Sequence, residues 1–436
     1  MIASSLRLPV SRRQLLWGGA SLALANALAA GSRAASATSY SASAFIDSVG
    51  VNTHLDSEPY RLHFEKLGTL LSAAGIRHVR DEIRPTNDIA RWRVLYNTHK
   101  VRAQMLISPV TNSIQQMSDY IAAVGIERIS AIEGQNEGNS DWFMGRPEAG
   151  SDWSATVVAY QREAYEVLRK TYRAEQVPVV SPTVINWKTH DMRKLAAAAP
   201  YSDVVAIHSY VQQAQEPETS DPYAALSWYL DELQKPFKPG APVMSTETGY
   251  NTSTKPGGQG VSEKAAAAYL PRLLLNSFSS GIERTFLYEL MDGGTDPSEW
   301  EHHFGLLRND ATPKPTYYAI AALLGAMREI EDGQGKGTPY SATVANAPVP
   351  VRLLHFRGGG GRTLLAIWRP VRFWDVAAGQ DIDVPSLRVT VTLDRPAKAA
   401  LRRLNAEGGW SSLAAPSRAL AVELDANVAL VRLDEI

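Results

Sequence analysis

The sequence of 436 residues contains no cysteine. This absence excludes disulfide bonds, thiolate catalysis and metal sites with cysteine ligands. The nine histidines show neither His-x-x-x-His nor His-Glu-x-x-His spacing, so no zinc site of those kinds is indicated. No Gly-x-Gly-x-x-Gly motif follows a strand-like stretch, so no dinucleotide is implied. We therefore expect the protein to need neither a metal nor an organic cofactor.

An excess of charge of one sign is also lacking, since 44 Lys and Arg face 45 Asp and Glu, for a formal net charge of −1. This balance argues against a protein that binds nucleic acid or another polyanion. Beyond the N-terminal region no apolar run is long enough to span a bilayer, so no membrane insertion of the mature chain is expected. Nothing in the sequence indicates an oligomeric state.

Residues 1–37 are predicted to be a twin-arginine-type signal peptide. The pattern Ser-Arg-Arg-Gln-Leu-Leu at 11–16 precedes a run of small and apolar residues at 17–30. An Ala-x-Ala site at 35–37 predicts cleavage before Thr38, and a second one at 27–29 is the alternative. An ordinary secretory signal or an uncleaved anchor is the competing interpretation. We expect a periplasmic or secreted protein.

From residue 45 to about residue 328, short apolar stretches alternate with longer amphipathic ones eight times. The strand-like stretches lie at 49–53, 76–81, 101–107, 126–132, 178–184, 204–208, 241–250 and 285–288. Eight β-then-α units of this length predict an α/β fold, a (β/α)8 TIM barrel over residues 38–330. An open, doubly wound sheet is the alternative.

The composition changes at residues 332–337, where four of six residues are glycine or glutamine. Short alternating runs follow at 352–356, 363–368, 387–393, 400–404, 420–424 and 428–433. They predict a small antiparallel β-sandwich domain over residues 338–436. The four glycines at 358–361 are followed by neither Lys-Ser/Thr nor a helix, so they indicate a turn and not a phosphate loop.

Two carboxylates follow predicted barrel strands. Glu137 lies just after the fourth strand, in Asn-Glu, and Glu247 ends the seventh. The carboxyl ends of barrel strands meet at one mouth, so we expect the two side chains to lie close together. Hydrolysis of a glycosidic bond with retention needs such a pair, one carboxyl protonated and the other ionised.

Several motifs share these positions with a known group of enzymes. They are Asn136-Glu137, Glu247, His208-Ser209-Tyr210, Arg80, Phe304-Gly305-Leu306-Leu307 and Pro313-Lys314-Pro315. Together they resemble the clan A (4/7 superfamily) retaining glycoside hydrolases, in particular enzymes of the family 39, 30 and 5 types. The resemblance covers residues 45–328. A C-terminal β-sandwich is common in families 39 and 30.

The resemblance implies a role for each matching residue. Glu137 would be the general acid/base and Glu247 the nucleophile. Asn136 would hydrogen-bond the 2-hydroxyl of the sugar. Arg80 and Tyr210 would hold Glu247 ionised and oriented, because a neighbouring opposite charge lowers the pKa of a carboxyl group.

Other residues are candidates for contact with the sugar. By the resemblance, His208 lines the nucleophile's side, and Tyr288 replaces the Trp platform of many relatives. His54 and Asn52, after the first strand, either touch sugar hydroxyls or are satisfied groups of the barrel rim. Tryptophans in the loops either stack on sugars or pack at the rim; they are Trp142, Trp153, Trp187 and Trp300.

Nearby charged residues have competing interpretations. Glu133 is either a buried, paired carboxylate of the barrel or an alternative acid. Glu289 and Asp292, near the eighth strand, either bind substrate or form structural salt bridges. Arg80 could instead be a structural partner of the adjacent Asp81 or Glu82.

The sequence thus predicts an exported retaining O-glycoside hydrolase. It would act on a polysaccharide or oligosaccharide by double displacement through a covalent glycosyl-enzyme. One alternative is a catalytically silent carbohydrate-binding barrel. Another is a metal-dependent barrel hydrolase of esters or phosphates, which the lack of a His/Asp ligand cluster disfavours.

Overall fold

The computed structural model describes residues 38–84, 88–221, 223–253, 258–331, 337–345, 347–404, 409–413 and 415–436. The predicted signal peptide, residues 1–37, lies outside the described residues, as does most of the glycine-rich segment at 332–337. Within the described ranges, no helix combines the length and apolar character needed to cross a membrane.

Eight parallel strands form a barrel, as predicted. The first strand of the described residues, β1 (Ser39–Ser41), lies outside the barrel. The barrel strands are β2 (Val49–Asn52), β3 (His78–Glu82), β4 (Arg102–Leu106), β5 (Ile129–Glu133), β6 (Val179–Val180), β7 (Val205–His208), β8 (Val243–Thr248) and β9 (Arg284–Leu287). They pair in the order β6-β5-β4-β3-β2-β9-β8-β7. A parallel bridge between Val180 and Val204 joins the two ends of this order.

Helices connect the strands and cover the barrel. The α-helices are α1 (Ala42–Asp47), α2 (Glu58–Ala74), α3 (Ile89–His99), α4 (Ile114–Val124), α5 (Asp141–Met144), α6 (Trp153–Thr171), α7 (Leu226–Tyr229), α8 (Lys235–Phe237), α9 (Glu263–Ser279) and α10 (Pro315–Glu331). Local signals set their limits: Ser113 and Gln116 form a capping box at the start of α4, and Gly75 ends α2 with φ +82°.

Tighter or wider turns interrupt this regular pattern. The 3-10 segments are Ile126–Arg128, Pro147–Ala149, Thr189–Tyr201, Gln212–Ala214, Trp300–His303 and Gly359–Gly361, and Leu230–Gln234 is a π-helix. The segment Thr189–Tyr201, between β6 and β7, is a run of 3-10 turns that contains Pro200. The strand predicted over 178–184 is only two residues long, since prolines at 178 and 182 cannot donate to a ladder.

The C-terminal region is a mainly antiparallel β-structure, as predicted. Its strands are β10 (Ala342–Val344), β11 (Arg352–Arg357), β12 (Thr363–Trp368), β13 (Trp374–Asp375), β14 (Gln380–Asp381), β15 (Leu387–Arg403), β16 (Ser411–Ser412), β17 (Ser417–Leu424) and β18 (Ala429–Asp434). The strand β1 joins it in parallel to β11, so residues that precede the barrel also belong to this sheet. That strand was not predicted from the sequence.

One long strand replaces two predicted ones. The runs at 387–393 and 400–404 are both parts of β15. Its first half pairs with β17 and its second half with β18, and the register shifts between Thr392 and Ala397. Pro396, which has no N–H to donate, lies inside this shift. The strand thereby connects two layers.

The central strand β12 shows how the layers pack. All six of its residues are buried, as expected for a strand covered on both faces. Leu364, Ala366 and Trp368 belong to the core shared with the barrel. Leu365 and Ile367 belong to a separate core against β15 and β17. The sheet is therefore sandwiched between the barrel and a second β-layer.

Buried polar contacts also join the barrel to the sheet. The guanidinium of Arg272, on α9, donates to both carboxylate oxygens of Glu218 and to the carbonyl of Val371. The indole of Trp368 donates to the same Glu218, with an Nε1–Oε1 distance of 2.7 Å. Because a buried charge must be paired, these groups fix α9, the loop after β7 and the sheet to one another.

Candidate active site

A row of polar side chains crosses three neighbouring barrel strands. Asn52 on β2 is the register partner of Arg80 on β3, which in turn is the partner of Gln104 on β4. All three are buried. Since side chains alternate along a strand, register partners point to the same face of a sheet. The barrel therefore places this row side by side in its interior.

The buried guanidinium of Arg80 pairs with Glu133, the last residue of β5. Its Nε lies 2.8 Å from Glu133 Oε2 and its Nη2 lies 2.9 Å from Oε1. Gln104 Nε2 donates to the same Oε2 at 2.7 Å. The Glu133 side chain is 0% exposed, and it does not line the cavity described below. Glu133 is thus a buried structural carboxylate.

The same guanidinium reaches Glu247 on β8. Arg80 Nη1 donates to Glu247 Oε1 at 2.7 Å and to Asn52 Oδ1 at 2.8 Å. The hydroxyl of Tyr210 donates to the other oxygen, Oε2, at 3.0 Å. Burial alone would raise the pKa of Glu247, but the positive charges of His208 and Arg80 and the donors from Arg80 and Tyr210 lower it. This carboxyl is held ionised.

The second carboxylate, Glu137, lies in the turn after β5. Its backbone has φ +42°, in the left-handed region that a residue with a β-carbon rarely adopts. Two bonds to Thr183 hold the turn: Glu137 N donates to Thr183 Oγ1 at 2.9 Å, and Gly138 N donates to Thr183 O at 3.1 Å. The segment after β6 therefore fixes Glu137 in this conformation.

His208 lies between the two carboxylates. It is the register partner of Glu247, and its Nδ1 is 2.9 Å from Glu137 Oε1 and 3.5 Å from Glu247 Oε2. Burial by itself would lower the pKa of His208, but the negative charges of Glu247 and Glu137 outweigh burial and raise it. The resemblance placed His208 on the nucleophile's side, and its shorter contact is with Glu137.

The two carboxylates are close but differ in their surroundings. Ligand atoms of Glu137, His208 and Glu247 all lie within 4.8 Å of one another. In geometry these three groups could also hold a divalent cation. However, the guanidinium of Arg80 lies 2.7 Å from Glu247 Oε1, and its positive charge would repel a cation bound to this carboxylate. The donor set therefore suits an ionised carboxylate better than a metal.

A cavity of about 300 Å³ opens onto this pair. Eight residues named in the sequence analysis line it: Asn52, His54, Arg80, Asn136, Glu137, Trp142, Glu247 and Tyr288. Asn136 Oδ1 accepts from Arg80 Nη2 at 2.7 Å, and its amide nitrogen has no protein partner within the described ranges. Trp187 is 68% exposed and is not part of the lining.

His54 is supported from behind by Glu289. The distance from His54 Nε2 to Glu289 Oε2 is 3.3 Å, and Tyr60 donates its hydroxyl to the same oxygen at 2.9 Å. Burial raises the pKa of Glu289 to about 8. Asp292 forms a buried ion pair with Lys314 at 2.7 Å. Glu289 and Asp292 thus make protein contacts, in keeping with their structural interpretation.

Sequence reasoning missed three residues of the site. The amide of Gln104 binds Glu133, and the hydroxyl of Thr183 binds the turn that carries Glu137. Neither residue belongs to a pattern that can be recognised in a sequence. Glu301 lines the cavity from the loop after β9. Trp300, directly before it, and the motif at 304–307 were the signals available in the sequence for that loop.

Comparisons with known proteins support the fold. No protein-family model matches the sequence, and the comparison with curated proteins finds no match. A family 39 glycoside hydrolase from the gut symbiont Bacteroides cellulosilyticus WH2 is structurally similar, with a TM-score of 0.60 and 17% identity over 91% of this chain and 83% of that one. A glucosidase from Croceicoccus marinus gives a TM-score of 0.55 and 10% identity over 85% and 91% of the two chains. These likenesses confirm the predicted resemblance at the level of the fold.

The Arg80→Met substitution is expected to destabilise the protein by about 3–5 kcal/mol, because Glu133 is left as a buried charge without its counter-ion. Adding Glu133→Gln should restore part of that loss, since the buried charge is then removed. The free energy of unfolding in urea at pH 7 measures both effects. As a control, Arg388→Met removes an exposed ion pair with Glu423 and should change stability by less than about 1 kcal/mol. Equal losses in the single and double variants would contradict this account.

Proposed function

We propose that the protein is a retaining O-glycoside hydrolase that cleaves a polysaccharide or oligosaccharide. The observation that carries the proposal is the carboxylate pair, with an oxygen of Glu137 within 4.8 Å of an oxygen of Glu247. Retaining enzymes hold their two carboxyl groups about 5–5.5 Å apart, whereas inverting enzymes need about 6.5–9.5 Å to admit a water. The fold likeness to glycoside hydrolases supports the same class of reaction.

In the first step, the ionised Glu247 attacks the anomeric carbon of the sugar. The bond from this carbon to the glycosidic oxygen breaks, and an ester bond to Glu247 forms. The carboxylic acid of Glu137 gives its proton to the departing oxygen, so the leaving group departs as an alcohol. Arg80 and Tyr210 suit Glu247 to this role, because they favour its ionised form.

In the second step, water enters on the side that the leaving group has vacated. Glu137, now ionised, takes a proton from this water while the water oxygen attacks the anomeric carbon. The ester bond breaks, and Glu247 returns as a carboxylate. Two inversions at one carbon give net retention of configuration.

Side chains around the cavity would orient the sugar. The amide nitrogen of Asn136, which has no partner among the residues that the structure describes, is available to donate to a hydroxyl group, as the resemblance implies for the 2-hydroxyl. His54 presents a ring that Glu289 holds in place. Tyr288 lines the cavity and offers an aromatic face in the position of the Trp platform. Trp142, which is 50% exposed, extends the aromatic lining outward.

Two other functions are less consistent with the site. A silent sugar-binding barrel would not need two carboxylates at reacting distance, one of them held ionised. A metal-dependent hydrolase would have to hold a cation beside the positive charge of Arg80, and its activity would be lost with chelators. Export to the periplasm or medium remains part of the proposal and depends on residues 1–37.

The Glu137→Ala variant tests the proposal. It should lose at least a hundredfold of the wild-type rate on glycans, because general acid catalysis contributes about 10²–10⁴-fold. With aryl glycosides that carry good leaving groups, the rate of the first step should fall much less, since the leaving group needs no proton. Added azide should restore turnover, because it attacks the glycosyl-enzyme without a general base. Release of reducing ends and proton NMR of the first-formed anomer are the measurements.

The matched control is Glu148→Gln, an exposed carboxylate of the same loop, which should keep the wild-type rate. The glycosyl azide should keep the anomeric configuration of the substrate, because azide replaces water in the second displacement. A glycosyl azide of inverted configuration would contradict the acid/base role of Glu137. An inverted first product from the wild type would contradict the retaining mechanism. Undiminished turnover of glycans by Glu137→Ala would contradict the assignment of the acid.

A pH profile tests how Glu247 is held ionised. The hydroxyl of Tyr210 lowers the pKa of Glu247, so Tyr210→Phe should raise that pKa and move the acidic limb of kcat/KM to higher pH. At the optimum the rate should fall about tenfold or more, as expected for a lost hydrogen bond to a charged group. Tyr317→Phe is the control, since that hydroxyl binds Leu70 O on the outside of the barrel. An unchanged acidic limb in Tyr210→Phe would refute this role.

A further inference from the structure

The lining of the cavity is rich in acidic side chains. It contains six carboxylates and two guanidinium groups: Asp56, Asp81, Glu82, Glu137, Glu247 and Glu301, against Arg80 and Arg84. A concave site lined mainly by one sign of charge concentrates the field of those charges and repels ligands of the same sign. The charge balance of the lining therefore bears on which sugars can enter.

Both arginines of the lining are paired with protein carboxylates, and the Arg84 side chain is 42% exposed. Arg80 is buried and shared between Glu133 and Glu247. Arg84 lies between two carboxylates, with its Nη2 2.7 Å from Glu82 Oε2 and its Nη1 3.1 Å from Asp56 Oδ2. Recognition of a uronate or sulfate group normally uses an arginine whose paired N–H donors face the ligand. In this lining, both arginines form ion pairs with carboxylates of the protein itself.

Glu301 has the opposite character, because its carboxylate has no hydrogen bond or ion pair among the described residues. It lines the cavity together with Glu137 and Glu247, from an exposed position. The partial burial of its carboxylate and then the negative charges of Glu247 and Glu137 raise its pKa to about 7, so Glu301 carries a full negative charge only above that pH. An acceptor without a protein partner at this position is free to take a donor from a ligand.

The loop that carries Glu301 is well anchored. The carbonyl of His303 accepts from Thr252 N at 2.9 Å and from Thr252 Oγ1 at 3.0 Å, and the buried Lys314 donates to it at 3.4 Å. The ring of Trp300 packs edge-on against Phe304, with centroids 5.8 Å apart. The carboxylate of Glu301 is therefore presented from a fixed segment.

We infer that the cavity takes sugar units without a negative charge, and that Glu301 is a specificity-determining residue that disfavours uronate or sulfate groups. Glu301 accepts hydrogen bonds from hydroxyl or ammonium groups of the sugar beside the reacting pair. This inference rests on the proposed glycosidase function and narrows its substrates to neutral or amino-sugar glycans.

The test uses pairs of polymers that differ only in charge: a soluble β-glucan, a mannan and a galactan, each with a form whose primary hydroxyls are oxidised to carboxylates. Chitosan provides the cationic case, and pectate and alginate provide natural acidic ones. Release of reducing ends is measured at about pH 8, above the raised pKa of Glu301, for the wild type, Glu301→Gln and Glu301→Lys. The control is Glu299→Gln, an exposed carboxylate two residues away that does not line the cavity.

We expect the wild type to cleave a neutral or amino-sugar polymer at least tenfold faster than its acidic counterpart. Glu301→Gln should narrow this ratio by about tenfold, which corresponds to about 1.4 kcal/mol, because it removes the repulsion between Glu301 and a carboxylate of the substrate. Glu301→Lys should narrow the ratio further. Glu299→Gln should leave the ratio unchanged.

Preferred cleavage of pectate, alginate or an oxidised polymer by the wild type would overturn the inference. An unchanged ratio in both Glu301 variants would overturn the role of that residue. Failure of the glycosidase function has a different signature, because then no polymer of either charge releases reducing ends in a Glu137-dependent manner.

Discussion

The site depends on one buried cation, the guanidinium of Arg80. Its side chain is 2% exposed, so removal from water must be offset by close, well-aligned carboxylates. Glu133 and Glu247 supply that compensation from β5 and β8, on different parts of the barrel. Glu133 is fully enclosed, whereas Glu247 keeps 11% of its side chain exposed. Of the two carboxylates that pair with Arg80, only Glu247 therefore faces the cavity.

This constraint also explains how the opposite carboxylate is arranged. Glu137 is not part of the Arg80 network; it is bonded to His208 and fixed through its backbone to Thr183. His208 contacts both carboxylates, and only Glu247 also has a permanent cation, Arg80, as its partner. Two carboxyl groups with different environments are what acid and nucleophile roles require.

Much of the architecture could be predicted because it depends on local patterns. Eight alternations of strand and helix gave the barrel, and the strand ends gave Glu137 and Glu247. The remainder depends on register and distant packing. The pairing of β1 with β11 joins residues about 300 positions apart, and the merging of two runs into β15 depends on how that strand crosses two layers. Gln104 binds Glu133 and Glu301 lines the cavity, and both positions depend on the folded chain.

The measurement that tests the central claim most directly is mass spectrometry of the protein after incubation with 2-deoxy-2-fluoro glycosides that carry activated leaving groups. The account predicts a stable glycosyl adduct on the peptide that contains Glu247, and no adduct in Glu247→Gln. Reaction at Glu133 or Glu137 instead would contradict the claim that Arg80 sets Glu247 apart as the nucleophile. Turnover of the substrate series by Glu247→Gln at the wild-type rate would contradict it as well.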